Sequence, residues 1–254
     1  YALEAPADFR PEAVTFTPAA THLTIVGPDG LRAPVRMALV GPFNAANVLA
    51  AAAAAFAVLP DTATFPVALA AGVRAMSPIP GRMERIDEGQ DFLAIVDFAH
   101  TPNALRRALE AAQTMIAPDR RVIAIFGSAG LRDRAKRRMM AEVGMALADR
   151  VVLTAEDPRT ESLDAILAEM AEGCRSQGGR EGETFWRVPD RGRAIAFGCE
   201  LARPGDLVIA CGKGHEQSMC FGTVEYPWDD RQAMRAALRG SPLLTLPTAQ
   251  KADQ

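Results

Sequence analysis

The sequence predicts an α/β fold built on a mostly parallel sheet, and three observations support this expectation. Short apolar runs alternate with longer stretches of helical composition, at residues 92–96, 121–126, 150–154, 185–188 and 207–211. The runs are continuously apolar, which is typical of strands that are buried on both faces. Crossovers between such strands are right-handed and place helices on both faces of the sheet. We therefore expect a three-layer domain.

The first part of the chain has a different pattern. Two extended runs, residues 21–26 and 33–40, flank a turn cluster and predict a β-hairpin. Two Ala-rich stretches of helical composition follow at residues 44–59 and 66–76, separated by Pro60-Asp61. The second stretch ends at a cluster of proline and glycine, residues 77–81, which is the predicted domain boundary.

The last part of the sheet domain is predicted to contain an antiparallel hairpin. Residues 219–221 and 224–226 bracket Gly222-Thr223 and would lie on the sheet edge, before a final helix at residues 229–238. The predicted domains are therefore residues 1–79 and 80–240, and residues 241–254 are expected to form a disordered tail.

Composition limits the classes of function. The 254 residues are 49% hydrophobic and 23% charged with a net charge of -3, which is typical of a globular protein and gives no indication of a nucleic-acid partner. The longest apolar run, residues 48–59, is shorter than the roughly 20 residues that cross a bilayer. The four cysteines lie far apart and are expected to be reduced, as in the cytosol. Because the chain starts at Tyr1, we expect a fragment.

Ligands of α/β sheets bind at the carboxyl ends of the strands, so the residues that follow each apolar run are candidates. Asp97 and His100 follow the run at residues 92–96 and predict a nucleotide or metal corner. An alternative is that Asp97 or Thr101 caps the next helix and His100 fills a hydrogen-bonded gap.

The run at residues 121–126 is followed by glycines and then by five cations within seven positions, among them Arg132, Lys136 and Arg137. Free backbone N–H groups and cations at a helix start favour anion binding. The alternative is a solvated helix face. The segment does not match the phosphate-loop signature.

The apolar runs at residues 150–154 and 207–211 are also followed by charged residues, which lie beside a proline and beside glycines. Arg159 follows Asp157-Pro158 and could bind a carboxylate through two hydrogen bonds, unless it forms salt bridges within its loop. Gly212 would let the backbone approach a ligand whose amine Glu216 accepts, unless the segment is a plain glycine turn.

Three polar residues upstream of the sheet complete the candidates. Asn44 and Asn47 lie one turn apart at a predicted helix start, so that one could cap the helix while the other faces a ligand. Arg82 lies in the predicted linker and could reach a ligand between two domains. Taken singly, each has an ordinary structural explanation.

Together the motifs resemble the Mur ligase family, and within it the MurE type, across residues 35–240. They are GPFNAAN at residues 41–47, PGRME at 80–84, VDFAHTP at 96–102, Arg132-Asp133, DPR at 157–159 and GKGHE at 212–216. The resemblance implies a Rossmann-like C-terminal Mur ligase domain with an antiparallel edge strand, preceded by the tail end of the central ATPase domain.

The resemblance also assigns expected roles to the candidate residues. ATP would contact Asn44, Asn47, Arg82, Asp97 and His100, and its phosphates would face Lys136 and Arg137. The incoming amino acid would contact Arg132, Asp157, Arg159, Gly212 and Glu216. No residue of the chain is expected to be catalytic or to bind a metal ion directly.

The implied activity is an ATP- and Mg²⁺-dependent amide ligation in the bacterial cytoplasm. An acyl phosphate of UDP-N-acetylmuramoyl-L-alanyl-D-glutamate would be attacked by a diamino acid during peptidoglycan synthesis. Because the sequence contains no phosphate loop, the chain alone is expected to be inactive.

The identity of the diamino acid is left open by departures from the family pattern. Asp157 stands where the family usually has Asn, which favours lysine or ornithine, whereas Arg159 favours meso-diaminopimelate. Leu131, Ala135 and Arg138 replace the typical Asp, Gly and Pro of a neighbouring loop. The alternatives are a sister amide ligase of the folylpolyglutamate or cyanophycin synthetase type, and a non-catalytic amino-acid or nucleotide-binding module.

Overall fold

The computed structural model describes residues 1–17, 20–59 and 63–249. The chain divides into two compact units, Tyr1–Ile79 and Pro80–Gln254, so that the division falls within the proline and glycine cluster at residues 77–81. Each unit has a separate hydrophobic core.

The first unit contains a three-stranded antiparallel sheet and two helices. The strands are β1 (Arg10–Thr17), β2 (Ala20–Val26) and β3 (Arg32–Met37), in that spatial order, and the helices are α1 (Pro42–Val58) and α2 (Phe65–Ala75). The predicted hairpin is confirmed by the pairing of β2 with β3, in which Leu23 lies opposite Val35. Strand β1 was not predicted, because its residues are mostly exposed or half-buried and show no apolar alternation. Pro60-Asp61, expected to separate the helices, lie outside the described residues.

The second unit contains a six-stranded sheet with helices between its strands. The strands are β4 (Glu84–Ile86), β5 (Leu93–Asp97), β6 (Val122–Phe126), β7 (Arg150–Leu153), β8 (Phe185–Arg187) and β9 (Leu207–Cys211). The helices are α3 (Pro102–Gln113), α4 (Ala135–Leu147), α5 (Leu163–Ser176), α6 (Arg191–Leu201) and α7 (Asp230–Leu238). The spatial order is β4-β5-β9-β6-β7-β8, and all neighbours are parallel except β4 and β5. The predicted mostly parallel α/β sheet is confirmed.

The position of the C-terminal hairpin differs from the expectation. Strands β10 (Ser218–Phe221) and β11 (Val224–Pro227) form a separate two-stranded sheet, and the antiparallel edge strand of the main sheet is β4. The hairpin instead contacts the loop after β7, where Arg159 forms an isolated parallel bridge with Phe221. Strand β4 has only three residues, and two of them are charged. The sequence therefore contains no apolar run that would predict it.

The expectation of a disordered tail is wrong for residues 241–249. Leu246 is 1% exposed, and the Thr248 hydroxyl donates a 2.8 Å hydrogen bond to Asp190. The Leu243 carbonyl lies where a side chain on Gly192 would stand, 1.9 Å from an ideal Cβ position. The contacts of Leu243 and Thr248 therefore hold this segment against the start of α6. Residues 250–254 lie outside the described part of the chain.

The strand order brings four loops together. Strand β9 lies between β5 and β6, so that the carboxyl ends of β5, β9, β6 and β7 are neighbours at one edge of the sheet. Thr101 caps α3 by accepting a hydrogen bond from the amide of Ala104, and Pro102 occupies the first helical turn. This edge is where an open α/β sheet binds its ligand.

Candidate functional site

A cavity of about 390 Å³ opens at the carboxyl ends of the four neighbouring strands. It brings together seven of the residues that the sequence selected as site candidates: His100, Arg132, Lys136, Asp157, Arg159, Gly212 and Glu216. The other lining residues are Phe98, Thr101, Ala129, Asp133 and Glu156. We refer to this space as the strand-end cavity.

Two loops that line the strand-end cavity interlock closely. The amide of Gly130, in the loop after β6, donates to the carbonyl of Asp157, in the loop after β7, at 2.9 Å. A Cβ atom on Gly130 would lie 1.9 Å from the Pro158 carbonyl oxygen. Leu131, Asp157 and Arg159 all have left-handed backbone conformations, which cost roughly 1–2 kcal/mol for a residue with a side chain. The two loops therefore hold each other in a strained conformation.

Lys213 forms ion pairs with two carboxylates that the sequence placed in the amino-acid site, Asp157 and Glu216. Its ammonium lies 3.0 Å from both Asp157 oxygens and 2.7 Å from a Glu216 oxygen, and its side chain is 2% exposed. The amide of Cys220 also donates to Asp157 at 2.9 Å. Asp157 thus receives three internal contacts, and it does not present a free negative charge to the strand-end cavity.

Arg132 and Arg159 present guanidinium groups that are not engaged. Neither forms a side-chain hydrogen bond or an ion pair with the residues that the structure describes. The backbone of Arg159 is fixed on both sides by the hairpin, because its amide donates to Cys220 and its carbonyl accepts from Gly222. The strand-end cavity therefore presents two guanidinium groups to a ligand, and the backbone that carries Arg159 is rigid.

Lys136 and Arg137, both expected to face phosphate, point to different places. Lys136 lines the strand-end cavity, and its ammonium donates to the His100 carbonyl at 3.2 Å. Arg137 is 1% exposed and forms ion pairs with Glu161 at 2.8 Å and Glu169 at 3.1 Å. Arg137 therefore holds α4 to α5 and the preceding loop, and the expectation that it faces a ligand phosphate is wrong.

Asp97 fixes the backbone at the end of β5. Its two oxygens accept hydrogen bonds from the amides of Met83 and Ala99, both at 2.8 Å. Burial raises the pKa of Asp97, and these backbone donors oppose the change. Asp97 therefore ties the segment around Met83 to the strand end, while Thr101 performs the capping role that the sequence left open between them.

An aromatic cluster surrounds Phe98 beside the strand-end cavity. The Arg82 guanidinium lies 4.2 Å from the centre of the Phe98 ring, and the rings of His100 and His215 pack against the same residue. His100 also contacts the Phe98 carbonyl through Nδ1 at 2.9 Å. Gly81 is required here, because a Cβ atom would lie 2.2 Å from the backbone of Gly214. The cluster places Arg82 within the second unit, with a cation on an aromatic face.

Glu156 lines the strand-end cavity and is not among the residues predicted from the sequence. It is 5% exposed, and its Oε2 atom has no hydrogen-bond partner among the described residues. Burial raises the pKa of Glu156 to about 7, although Lys136, Arg191 and Lys213 oppose the shift. The sequence did not single out this residue, because burial and a missing hydrogen-bond partner leave no signal in a single sequence.

Arg191 is a buried arginine that connects the carboxyl ends of β7 and β9. Arg191 forms an ion pair with Asp230 at 2.6 Å, and both side chains are fully buried. The same guanidinium donates to the carbonyls of Ala155 at 3.0 Å and Cys211 at 2.9 Å, which immediately precede Glu156 and Gly212. Trp228 donates to Asp230 at 2.8 Å. This network sets the relative position of two walls of the strand-end cavity.

Asn44 and Asn47 belong to the first unit. The Asn44 amide donates to the Val40 carbonyl at 2.8 Å, and Asn47 donates to Asn44 at 3.2 Å. Both residues line a mainly apolar cavity of about 370 Å³ between α1 and α2. Their contact with a nucleotide stays a prediction.

Other features of the described chain are structural. The four cysteines are free, and burial raises the pKa of Cys174 and Cys199 to about 12, so that they are unreactive thiols. No group of three or more His, Cys, Asp or Glu side chains among the described residues is arranged to hold a metal ion. No helix within the described ranges is long and apolar enough to span a membrane.

Comparison with known proteins places this site in a family context. The family model described as "Mur ligase, glutamate ligase domain" matches residues 81–214, which is more than half of the chain. A UDP-N-acetylmuramyl-tripeptide synthetase of Roseiflexus sp. strain RS-1 is 42% identical over 238 residues, 94% of this chain and 45% of the relative. A UDP-N-acetylmuramoyl-L-alanyl-D-glutamate–2,6-diaminopimelate ligase of Streptomyces coelicolor is 40% identical over 233 residues, 92% of this chain and 45% of the relative.

The structural comparison agrees with the sequence comparison. A solved structure of a UDP-N-acetylmuramoyl-L-alanyl-D-glutamate–2,6-diaminopimelate ligase superposes with a TM-score of 0.65 at 32% identity, covering 93% of this chain and 46% of that chain. The chain thus spans about half the length of the relatives it matches. On the family match and the arrangement of its strand ends, the chain belongs to the Mur ligase family.

Proposed function

We propose that this chain is the C-terminal part of an ATP-dependent ligase that adds meso-diaminopimelate to UDP-N-acetylmuramoyl-L-alanyl-D-glutamate in the bacterial cytoplasm. The names of relatives at about 40% identity support this activity. The observation that carries the choice of amino acid is the pair of unengaged guanidinium groups, Arg132 and Arg159, in the strand-end cavity.

The charges of the strand-end cavity suit a ligand with two carboxylates. Diaminopimelate carries two carboxylates and two amines, whereas lysine and ornithine carry one carboxylate each. Two guanidinium groups without internal partners would bind both carboxylates of diaminopimelate through charge-assisted hydrogen bonds. With lysine, one of these groups would have no anionic partner.

Asp157 argues less strongly against diaminopimelate as the ligand than the sequence alone indicated. A carboxylate in place of the usual Asn favours a cationic ligand end only if its charge is free. Lys213 contacts both oxygens of Asp157 at 3.0 Å, so that Asp157 has an ion-pair partner within the protein, and the same ammonium also contacts Glu216 at 2.7 Å. We therefore assign to Lys213 a compensating role that keeps the ligand preference on the side of the dicarboxylate.

The residues near Phe98 fit a nucleotide. The Arg82 guanidinium is stacked on the ring and forms no side-chain hydrogen bond with the described residues, and Lys136 lies next to the backbone of His100. ATP with Mg²⁺ supplies the phosphoryl group that activates the substrate carboxylate. In this proposal Arg82 and Lys136 bind and orient the nucleotide's anionic groups.

The proposal is tested in a complete ligase that carries this chain, by ATP-dependent phosphate release with meso-diaminopimelate, L-lysine and L-ornithine. We expect diaminopimelate to have the highest kcat/KM. Replacement of Arg159 by alanine removes a charge-assisted carboxylate contact of about 2–3 kcal/mol, which is a roughly 30- to 150-fold loss of kcat/KM.

The matched control is Arg138→Ala, since Arg138 is exposed on α4, pairs with Glu142 and lies outside the strand-end cavity. This variant should keep the parent rate. Equal or better use of lysine or ornithine by the parent enzyme would refute the assignment of the amino acid. Because the sequence has no phosphate loop, the isolated chain should release no phosphate under the same conditions.

A further inference from the structure

Glu161, in the loop after β7, connects that loop to the loop after β6 and to α4, although it does not line the strand-end cavity. Its Oε1 atom accepts a hydrogen bond from the backbone amide of Leu131, in the loop after β6. Its Oε2 atom accepts from the Arg137 guanidinium of α4 at 2.8 Å. Both oxygens of the carboxylate are therefore engaged, each by a donor from a different segment.

Leu131 has a backbone conformation that depends on outside contacts. Its φ is 56°, in the left-handed region, which is unfavourable for a residue with a side chain and persists only where the surroundings impose it. The Leu131 side chain is 58% exposed, so that side-chain packing contributes little. The preceding residue, Gly130, is tied to the Asp157 carbonyl at 2.9 Å. The hydrogen bond from the Leu131 amide to Glu161 therefore completes the fixation of this turn.

Arg132 follows Leu131 directly and has few contacts of its own. Its side chain is exposed and forms no hydrogen bond or ion pair with the described residues, and its backbone forms no backbone hydrogen bond with them. The next fixed residue is Asp133, whose carboxylate accepts from the Ala135 amide at 2.9 Å. The direction in which Arg132 enters the strand-end cavity is consequently set by the residue before it.

Glu161 is itself held in place and charged. Its amide donates to the Pro158 carbonyl at 3.2 Å. Its partner Arg137 is 1% exposed and is also paired with Glu169 of α5 at 3.1 Å. The Leu131 amide and then the Arg137 guanidinium lower the pKa of Glu161, so that the carboxylate is ionised at neutral pH. A charged acceptor makes a stronger hydrogen bond than a neutral one.

We propose that Glu161 is a positioning residue for the ligation, which acts through the Leu131 amide and holds the Arg132 guanidinium where it binds a carboxylate of the incoming amino acid. This inference rests on the proposed function. Pairing of a guanidinium with a carboxylate through two hydrogen bonds is directional, and a displacement of about 1 Å can cost on the order of a hundredfold in rate. Glu161 thus affects amino-acid binding without contacting the ligand.

The test is a double-mutant cycle in a complete ligase that carries this chain, with kcat and KM measured for meso-diaminopimelate and for ATP. The variants are Glu161→Ala, Arg132→Ala and the double variant. We expect Glu161→Ala to raise KM for diaminopimelate about tenfold in the parent, but by less than about twofold in the Arg132→Ala background. KM for ATP should stay at the parent value, which a general loss of structure would not allow.

Two further variants separate the hydrogen bond to Leu131 from the ion pair with Arg137. Glu161→Gln keeps an acceptor oxygen for the Leu131 amide and should recover most of the loss in KM. The matched control is Glu169→Ala, because Glu169 pairs with the same Arg137 and does not accept the Leu131 amide. This variant should keep the parent KM for diaminopimelate.

The possible failures are distinguishable. An effect of Glu161→Ala that is equally large with and without Arg132, or that Glu169→Ala shares, would overturn the positioning role and leave the proposed function standing. A glutamine variant as impaired as the alanine variant would overturn the role of the Leu131 hydrogen bond. Unchanged KM for diaminopimelate in Arg132→Ala would instead overturn the amino-acid site of the proposed function.

Discussion

Two neighbouring carboxyl groups at the end of β7 are in opposite states. Asp157 accepts hydrogen bonds from the Lys213 ammonium and the Cys220 amide, whereas the adjacent Glu156 is buried with one oxygen unpaired. The free-energy cost of burial is thus compensated at Asp157 and remains at Glu156. This difference makes Glu156 a source of pH-dependent stability.

Replacement of Glu156 by glutamine should change how stability depends on pH. Burial raises the pKa of Glu156 from 4.5 to about 7 in the folded state, so that its contribution is fully present below pH 4.5 and is lost as the pH rises through 7. Glu156→Gln has no such titration. We expect similar free energies of unfolding at pH 4.5, and a variant more stable than the parent by about 1–3 kcal/mol at pH 8.

Urea unfolding followed by tryptophan fluorescence measures this effect in the correct unit, since both tryptophans, Trp186 and Trp228, lie in the second unit. Comparing variant with parent at each pH removes the contribution of other titrating groups. A stability difference that is the same at pH 4.5 and pH 8 would contradict the elevated pKa.

The sequence identified charged site residues better than it identified their roles. Arg132, Arg159 and Glu216 lie in the segments that follow predicted strands, and the strand-end cavity contains all three. Lys213 was passed over because its partner, Asp157, lies 56 positions away in the sequence. Arg137 is indistinguishable from Lys136 in a run of cations, although only Lys136 lines the strand-end cavity.

At the scale of elements, the loops after β6 and β7 form one interlocked structure. Gly130 packs directly on the Pro158 carbonyl, and the Leu131 amide donates to the Glu161 carboxylate. This donor, followed by Arg137, lowers the pKa of Glu161. The loop after β7 is in turn paired with the hairpin through Arg159. Positions of the site side chains therefore depend on contacts between backbones.

Gly130→Ala should separate the two loops. Its Cβ atom would lie 1.9 Å from a backbone oxygen, which cannot be avoided by a side-chain rotation. We expect a loss of about 2–4 kcal/mol in the free energy of unfolding of the second unit, together with weaker diaminopimelate binding.

Gly178→Ala is the matched control, because Gly178 has a φ of 80° and open space around its Cβ position. It should cost only about 1 kcal/mol, from backbone strain, and should leave binding unchanged. Urea unfolding and titration calorimetry on both variants make the comparison. Equal losses of stability in the two variants would show that the loops do not depend on this close contact.

The regular elements were predictable where apolar runs were long enough to be seen. Strands β5, β6, β7, β8 and β9 agree with the expectation within one or two residues. Strand β4 was not predicted because it is short and charged. The placement of β10 and β11 was not predicted because it depends on backbone pairing between distant segments. Such pairings are set by tertiary contacts, which local sequence patterns do not encode.

At the scale of the whole molecule, the chain consists of two compact units with separate cores. The second unit, Pro80–Gln254, contains the complete six-stranded sheet and all residues of the strand-end cavity. A unit of this size has enough buried apolar surface to fold alone.

A fragment of residues 80–254 should therefore keep a cooperative urea transition in tryptophan fluorescence. It should also bind diaminopimelate with an affinity within about threefold of the full chain, a change of about 0.7 kcal/mol. A broad, non-cooperative transition would contradict an independent second unit, and the fragment of residues 1–79, which lacks tryptophan, requires circular dichroism as its probe.

The buried arginine behind the strand ends has a consequence for protein synthesis. Arg191 bonds to Ala155, Cys211 and Asp230, and the last of these is 39 positions further along the chain. On the ribosome, where the N-terminus of the chain emerges first, the guanidinium lacks its ion-pair partner until Asp230 has left the exit tunnel. An unpaired charge cannot be buried cheaply, so that β7 and β9 reach their final spacing only then. The strand-end cavity consequently reaches its final form only after Asp230 has been synthesised.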